Sequence, residues 1–245
     1  MKKLILAIAL LLPSLAFAAG SKHPLDDADY DLTDKASLQN GARIFMNYCL
    51  GCHQQQYQRY SRTFADLDIP DEIGQEYLQF TGEKVTDYIT SPMPAEASAT
   101  WFGAPPPDLT LVARVRGADW IYTYLRTFYV DDSKTFGVNN LTFPNVGMPH
   151  VLQELQGTPR ISYEDALIDG ETVKRYVGIQ SDGDGELSPE EYDQAILDLV
   201  NYLQYTGEPS RLASEKIGKG VLVFIFIFFI FAYLLKKDYW RDVKK

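Results

Sequence analysis

Cysteine is almost absent from this 245-residue chain: only Cys49 and Cys52 occur, with two residues between them. A disulfide at that spacing would be a redox dithiol, which calls for a thioredoxin-like βαβ pattern that the sequence does not contain. Histidine is as scarce, with His23, His53 and His150 alone. A zinc centre at the cysteine pair would need two further Cys or His ligands close by, and His23 and His150 are too scattered to serve. Neither of them sits in a triad motif, so hydrolytic catalysis has no support either. Basic residues are few as well, 23 against 33 acidic, for a formal charge of −10. That balance disfavours nucleic acid and anionic lipid as partners. Repeats and low-complexity linkers are missing.

What is present at the two cysteines is Cys49-Leu50-Gly51-Cys52-His53, a C-x-x-C-H pentad. At this spacing two thiols add to the vinyl groups of one haem and the following histidine reaches its iron, so one covalently attached haem c is expected.

Both ends of the chain point to a membrane and export. Lys2 and Lys3 precede an apolar run from Leu4 to Leu12, and Ala16-Phe17-Ala18 offers a small-x-small cleavage pattern. Residues 1–18 are expected to be a signal peptide, with the mature protein starting near Ala19. From Ile217 to Leu235 the one charge is Lys219, and these nineteen residues would span roughly 28 Å as a helix, enough to cross a hydrocarbon core if Lys219 snorkels. Lys236, Lys237, Arg241, Lys244 and Lys245 follow, against Asp238 and Asp242. The positive-inside bias puts that tail in the cytoplasm. The expected organisation is a periplasmic haem domain at 19–214, a transmembrane helix at 215–236 and a basic tail at 237–245.

Charge divides unevenly between these compartments. Ala19 to Lys216 holds 31 acidic and 15 basic residues, a balance of −16. An exported surface of that sign favours a basic protein partner, with fast and salt-sensitive encounter. Within the same region Ser37 to Tyr48 reads as a helix leading into the pentad, with Gly41, Phe45 and Cys49 on one face. Ser188-Pro189-Glu190-Glu191 is a helix start with a capping box, and that helix runs through Ile196, Leu199, Val200 and Leu203 to end near Gly207. Gly41 on one helix and Tyr202 on the other would allow a close crossing. Ser91 to Asp108, rich in Pro and Ala, is expected to be an irregular loop. Residues 180–191 resemble a calcium-binding loop from the third position onward, but Gln180 stands at the first; a turn-rich acidic loop is the plainer reading.

A sixth iron ligand must come from Met46, Met93, Met148, His23 or His150. Met46 lies three residues before Cys49, on the entering helix, and reads as core. Met148 sits in Phe143-Pro144-Asn145-Val146-Gly147-Met148-Pro149, where Gly147 permits close approach and Pro149 stiffens the loop. It is the favoured ligand, ahead of His150 and then Met93; methionine raises the potential, whereas histidine lowers it.

The helix pair resembles the packing of N- and C-terminal helices in class I cytochromes c, whose Leu-x-x-Tyr-Leu pattern is matched by Leu199, Tyr202 and Leu203. Trp101 to Thr110, with Pro105-Pro106-Pro107-Asp108-Leu109, followed by Arg114, Arg116, Gly117 and Trp120, resembles the Gly-x-x-Pro-Pro-Asp-Leu-Ser stretch and downstream arginines of the cytochrome c1 family. With the pentad, the Gly-Met-Pro loop and the C-terminal anchor in the same order, the resemblance covers nearly the whole mature chain. It implies an all-α, class I cytochrome c-like domain with long loops and one C-terminal transmembrane helix. Cys49 and Cys52 would then hold the porphyrin, His53 and Met148 ligate iron, Pro106 and Pro107 line the crevice, and Arg116 pair with a propionate. Arg114 stays open, as does whether Trp101 and Trp120 pack on the haem or in the core. The implied role is electron transfer in quinol to cytochrome c oxidoreductase at the bacterial inner membrane. Electrons would come from a Rieske iron-sulfur protein and leave to a soluble c-type cytochrome, beside cytochrome b in a homodimeric complex. The alternative is a membrane-tethered monohaem shuttle or the cytochrome subunit of a terminal oxidase. A haem peroxidase or gas sensor would need an open distal site, which Met148 would close.

Overall fold

Asp34 and Ser188 start the two helices that frame the core, and each does so by accepting a backbone N–H that the first helical turn leaves without a partner. The computed structural model describes residues 23–168, 171–241 and 243. The expected signal peptide lies outside the described residues. The chain runs α1 (Lys35–Ile44), a π-helical turn (Phe45–Cys49), β1 (Gln55–Arg59), α2 (Tyr60–Asp66), α3 (Asp71–Tyr77), β2 (Tyr88–Ile89), α4 (Ala95–Phe102), α5 (Val112–Arg116) and α6 (Ala118–Arg126). It continues through β3 (Phe128–Val130), β4 (Val138–Asn140), α7 (Gln153–Gln156), β5 (Pro159–Ile168), β6 (Glu171–Ser181), α8 (Pro189–Gly207) and α9 (Arg211–Tyr239).

Asp34 accepts the Ser37 N–H at 3.0 Å. At α8 the capping box is complete: Glu191 N–H donates to Ser188 Oγ at 3.3 Å and Ser188 N–H to Glu191 Oε2 at 2.9 Å. The two helices cross at Gly41. A Cβ there would lie 2.0 Å from the Asp198 carbonyl oxygen and 2.7 Å from Tyr202 Cβ, so only glycine permits the approach. Next to the crossing, Phe45 and Tyr202 rings meet at 5.7 Å. A polar lock reinforces it: the buried Asp198 carboxylate accepts from Ser37 Oγ and Asn40 Nδ2, both at 2.7 Å. These bonds offset the cost of burying a carboxylate between two helices.

The main core cluster is built largely from α1, the π turn, α2, α6 and α8, with Phe45, Tyr60, Phe64, Val200 and Tyr202 fully buried, and a small second cluster joins Phe128, Val138 and Val146. Arg126 ties its edges together, bonding both Asp193 oxygens at 2.6 and 2.7 Å and Asp26 at 2.7 Å.

An all-α domain describes the core but not everything around it. Three two-stranded antiparallel sheets, β1–β2, β3–β4 and β5–β6, accompany the helices among the described residues. The longest hairpin, β5–β6, falls where Ile161, Tyr163, Val173, Tyr176, Val177 and Ile179 supply the β-branched and aromatic side chains that favour strands. Its register slips once, between Ser162 and Tyr163. The expected irregular loop at 91–108 also contains α4, because Ala95, Ala97 and Ala99 favour helix after Pro94; Gly103, at φ 81°, ends it. The acidic loop after β6 uses its carboxylates on the fold. Asp184 accepts from Thr158 N–H at 2.6 Å and Thr158 Oγ1 at 2.7 Å, and Asp182 pairs with Arg160 at 2.8 Å. Among the described residues no three His, Cys, Asp or Glu side chains converge as a metal site.

Helix α9 is long and apolar enough to cross a membrane, and none of its apolar window is buried. It exceeds the expected 215–236 at both ends, so Lys236 and Lys237 belong to its last turn.

Candidate haem site

The pentad begins inside a helix and ends outside it. In the π turn Leu50 N–H donates to the Phe45 carbonyl at 3.0 Å, and His53 N–H then closes on the Cys49 carbonyl at 2.8 Å. Such widened turns are frequent at functional sites. Here the turn brings Cys49, Cys52 and His53 to the wall of one cavity of about 390 Å³, within the range of small-molecule and cofactor pockets.

His53 is held by the segment that follows α4. Its Nδ1 lies 2.8 Å from the Pro107 carbonyl oxygen, which fixes a proton on Nδ1 and leaves Nε2 as the nitrogen available for coordination. That carbonyl is itself positioned. Asp108 accepts Gln56 N–H and Thr110 N–H, each at 2.8 Å, and Leu109 N–H donates to the Gln54 carbonyl at 2.9 Å. Thr110 accepts the Tyr57 N–H on its hydroxyl at 3.5 Å. The Pro-Pro-Asp-Leu stretch is thus stapled to the residues directly after the pentad.

Met148 approaches the same cavity on a loop after β4. Asn145, at φ 62°, donates its N–H to Asn139 Oδ1 at 2.8 Å and accepts from Lys134 Nζ at 2.8 Å. Gly147 lines the cavity, as an approach to a macrocycle requires, and is also held to glycine by a neighbour: a Cβ there would stand 2.8 Å from the Phe102 carbonyl oxygen. The loop is pressed against the end of α4.

The structure brings all seven sequence-selected residues, Cys49, Cys52, His53, Pro106, Pro107, Arg116 and Met148, to this one cavity. It also separates Arg116 from Arg114, the arginine left open. Arg116 stacks its guanidinium over Trp120, 4.8 Å from the ring centre, at the cavity wall, whereas Arg114 turns to Glu208 at 3.6 Å. Trp120 lines the cavity; Trp101 does not and is 57 % exposed. Among the other ligand candidates, Met46 is buried in the core and Met93 is not at the cavity wall. His23 packs edge-on against Tyr176 of the hairpin at 5.7 Å. His150 has its Nε2 2.7 Å from Gln156 Oε1 and its ring stacked on Phe128 at 4.8 Å, so its nitrogen is committed within the fold.

Burial sets the electrostatics. It pushes the Cys49 thiol up to about 12, with Cys52 adding to the effect, and raises Cys52 too. A redox dithiol needs the opposite shift, toward thiolate. Burial also lowers His53, against the Pro107 hydrogen bond and the Asp108 charge that raise it, and brings His150 down to about 4. Both imidazoles are neutral at pH 7, the form that can coordinate a metal.

This donor set fits a haem: two thiols three residues apart, an imidazole with one nitrogen tied back, a thioether on a second element, an apolar wall and one guanidinium at the rim. Sequence reasoning missed Tyr48 and Tyr124, which also line the cavity. The signal for Tyr124 was the i, i+4 spacing of Trp120 and Tyr124, which puts both on one face of α6.

Comparison with known proteins agrees with the geometry. The profile of the Cytochrome C1 family matches residues 27–243. Cytochrome c1 of Allochromatium vinosum is 50 % identical over 246 residues, covering 99 % of this chain and 100 % of that protein. The ammonia monooxygenase gamma subunit of Nitrosomonas europaea is 42 % identical over 243 residues, covering 99 % of each. Cytochrome c1 of Blastochloris viridis is 29 % identical over 240 residues, covering 86 % of this chain and 83 % of the relative. With a family match over nearly the full chain and a C-x-x-C-H pentad at the wall of a fitting cavity, the chain belongs to the cytochrome c1 family of haem-binding electron-transfer proteins.

Proposed function

We propose that this chain is the membrane-anchored haem c subunit of quinol to cytochrome c oxidoreductase, taking electrons from a Rieske iron-sulfur protein and passing them to a soluble c-type cytochrome. The observation that carries the reading is the meeting of the pentad, the Pro107 carbonyl on His53, and Met148 at one cavity. In this reading Cys49 and Cys52 form the thioether links, and His53 and Met148 are the axial ligands. Pro106 and Pro107 keep the crevice dry, and Arg116 offers a forked cation to a propionate. When bound, the haem supplies a one-electron couple. The chain's own residues hold it, exclude water and present an edge to partners.

Residues 1–18 act as the export signal, the domain from Ala19 to Ser214 sits in the periplasm, and α9 anchors it with the basic tail in the cytoplasm. Cytochrome b is the neighbour in the membrane, within a homodimeric complex. The acidic exported surface, −16 from Ala19 to Lys216, suits a basic soluble cytochrome, and electron delivery to it is expected to slow as salt screens the attraction.

The test is a reduced-minus-oxidised absorption spectrum of the complex purified through this chain in mild detergent, with quinol as reductant. Quinol-reducible b-type bands beside a c-type band support the assignment. A c-type band alone, not reduced by quinol, favours an electron carrier serving a different membrane enzyme. The similarity to a protein named as a subunit of ammonia monooxygenase makes that second outcome a specific one. Covalent attachment has its own check: Cys52→Ala is expected to abolish or strongly reduce haem staining of the chain on a denaturing gel, and normal staining would remove Cys52 from the attachment site.

A further inference from the structure

Tyr124 stands on α6 with its hydroxyl directed to the Met148 sulfur, and the two atoms are 3.4 Å apart. The phenol has little freedom. Trp120 stacks on its ring with centres 4.9 Å apart and planes 9° from parallel, and Phe128 meets it edge-on at 5.2 Å. Behind the ring, the Tyr124 carbonyl accepts from Asn140 Nδ2 at 2.7 Å, tying this turn of helix to β4, the strand that leads into the Met148 loop. Met148 packs with Tyr124 on the small cluster of Phe128, Val138 and Val146. Donor and acceptor are therefore fixed relative to each other by two separate elements.

We infer that Tyr124 is a positioning residue for the axial thioether, its hydroxyl donating a hydrogen bond to the lone pair of Met148 Sδ that iron does not use. This rests on the reading of Met148 as axial ligand. A thioether sulfur has two lone pairs. A donor on one makes the other a weaker electron donor to iron, which destabilises the oxidised state relative to the reduced one and raises the potential. The same bond restrains a ligand that binds weakly and holds the sulfur at one orientation, as partners of ligating side chains do at other metal sites.

The experiment is Tyr124→Phe, which retains the ring, its stack on Trp120 and the helix, and removes one oxygen. With a net hydrogen bond of about 1 kcal/mol made in the reduced state and given up on oxidation, its removal changes the reduced-to-oxidised ratio at fixed ambient potential by about fivefold. Converted at 59 mV per decade, that is a fall in midpoint of about 40 mV. The long-wavelength absorption of the oxidised protein that reports sulfur on iron is expected to persist. A midpoint that is unchanged or higher, with that absorption intact, overturns the inference and leaves Met148 as ligand. Met148→Leu distinguishes the other failure: if it spares the sulfur-to-iron absorption, the ligand reading is wrong and the Tyr124 role falls with it. A measurement on the unaltered full chain in detergent guards against a variant that does not fold. In the reduced, diamagnetic protein the Tyr124 hydroxyl proton should appear as a slowly exchanging resonance with a cross-peak to the Met148 methyl group; a freely exchanging hydroxyl overturns the proposal.

Discussion

Met148→Leu is expected to leave covalent haem on the chain and to lower its midpoint potential by on the order of 0.1–0.4 V, a sizeable part of the roughly 0.8 V over which axial ligands move haem potentials. The substitution nearly conserves volume, so the packing against Phe128, Val138 and Val146 should survive at a cost of less than about 1.5 kcal/mol. The loop that carries the residue is anchored independently of the sulfur, through Asn145 to Asn139 and through Gly147 against Phe102. What is lost is the thioether. The nearest alternative ligand along the chain is engaged elsewhere: His150, two residues on, is stacked on Phe128 with Nε2 bonded to Gln156. Methionine favours the reduced state more than the water or hydroxide that would enter, which gives the shift its sign. Redox titration of the purified chain reads it directly, and an unchanged midpoint would mean that iron takes its sixth ligand elsewhere.

The second large effect concerns folding rather than chemistry. Gly41→Ala is expected to cost about 3 kcal/mol, the upper end for overpacking a core, and to lower the melting temperature by about 6–12 °C for a domain of this size. The added methyl would sit 2.0 Å from the Asp198 carbonyl oxygen and 2.6 Å from its carbon, and backbone inside α8 has no rotamer by which to retreat. The helices must separate. Doing so weakens the contact of Phe45 with Tyr202 and stretches the bonds from Ser37 and Asn40 to Asp198, which leaves a buried carboxylate short of donors. Gly51 supplies the control, since a Cβ there meets nothing within 4 Å. Gly51→Ala should change stability by no more than about 0.5 kcal/mol. Thermal melts followed by far-ultraviolet circular dichroism compare the two variants, and equal melting temperatures would show that the helices can yield at Gly41.

Patterns that depend on near neighbours were open to reading from the sequence. The pentad is five consecutive residues, the capping box at Ser188 and Glu191 is a local reciprocal pair, and the apolar run inside α9 announces itself by length. Strands were harder, because β5 and β6 are short of strict alternation and pair only with each other, so their sequence signal was weak until the hairpin closed. Helix α4 was hidden by the prolines that flank it.

The site divides along the same line. Chemical identity came from the chain alone: two thiols and an imidazole at haem-attachment spacing, a methionine in a Gly-Met-Pro loop, an acidic domain and an apolar segment long enough to span a membrane. Which side chains face one another was a matter for the tertiary structure. Family resemblance preferred Arg116 and left Arg114 open, and the tertiary structure gives the two different surroundings: Arg116 lines the cavity, while Arg114 reaches Glu208 more than ninety positions away. His53 receives its tautomer from a carbonyl at Pro107, and Met148 receives a hydrogen bond from Tyr124, each partner delivered by a different element. Spacing along a chain records what a short segment can do, whereas hydrogen bonds of about 3 Å between distant segments exist only once the helices have packed and fixed their rotations.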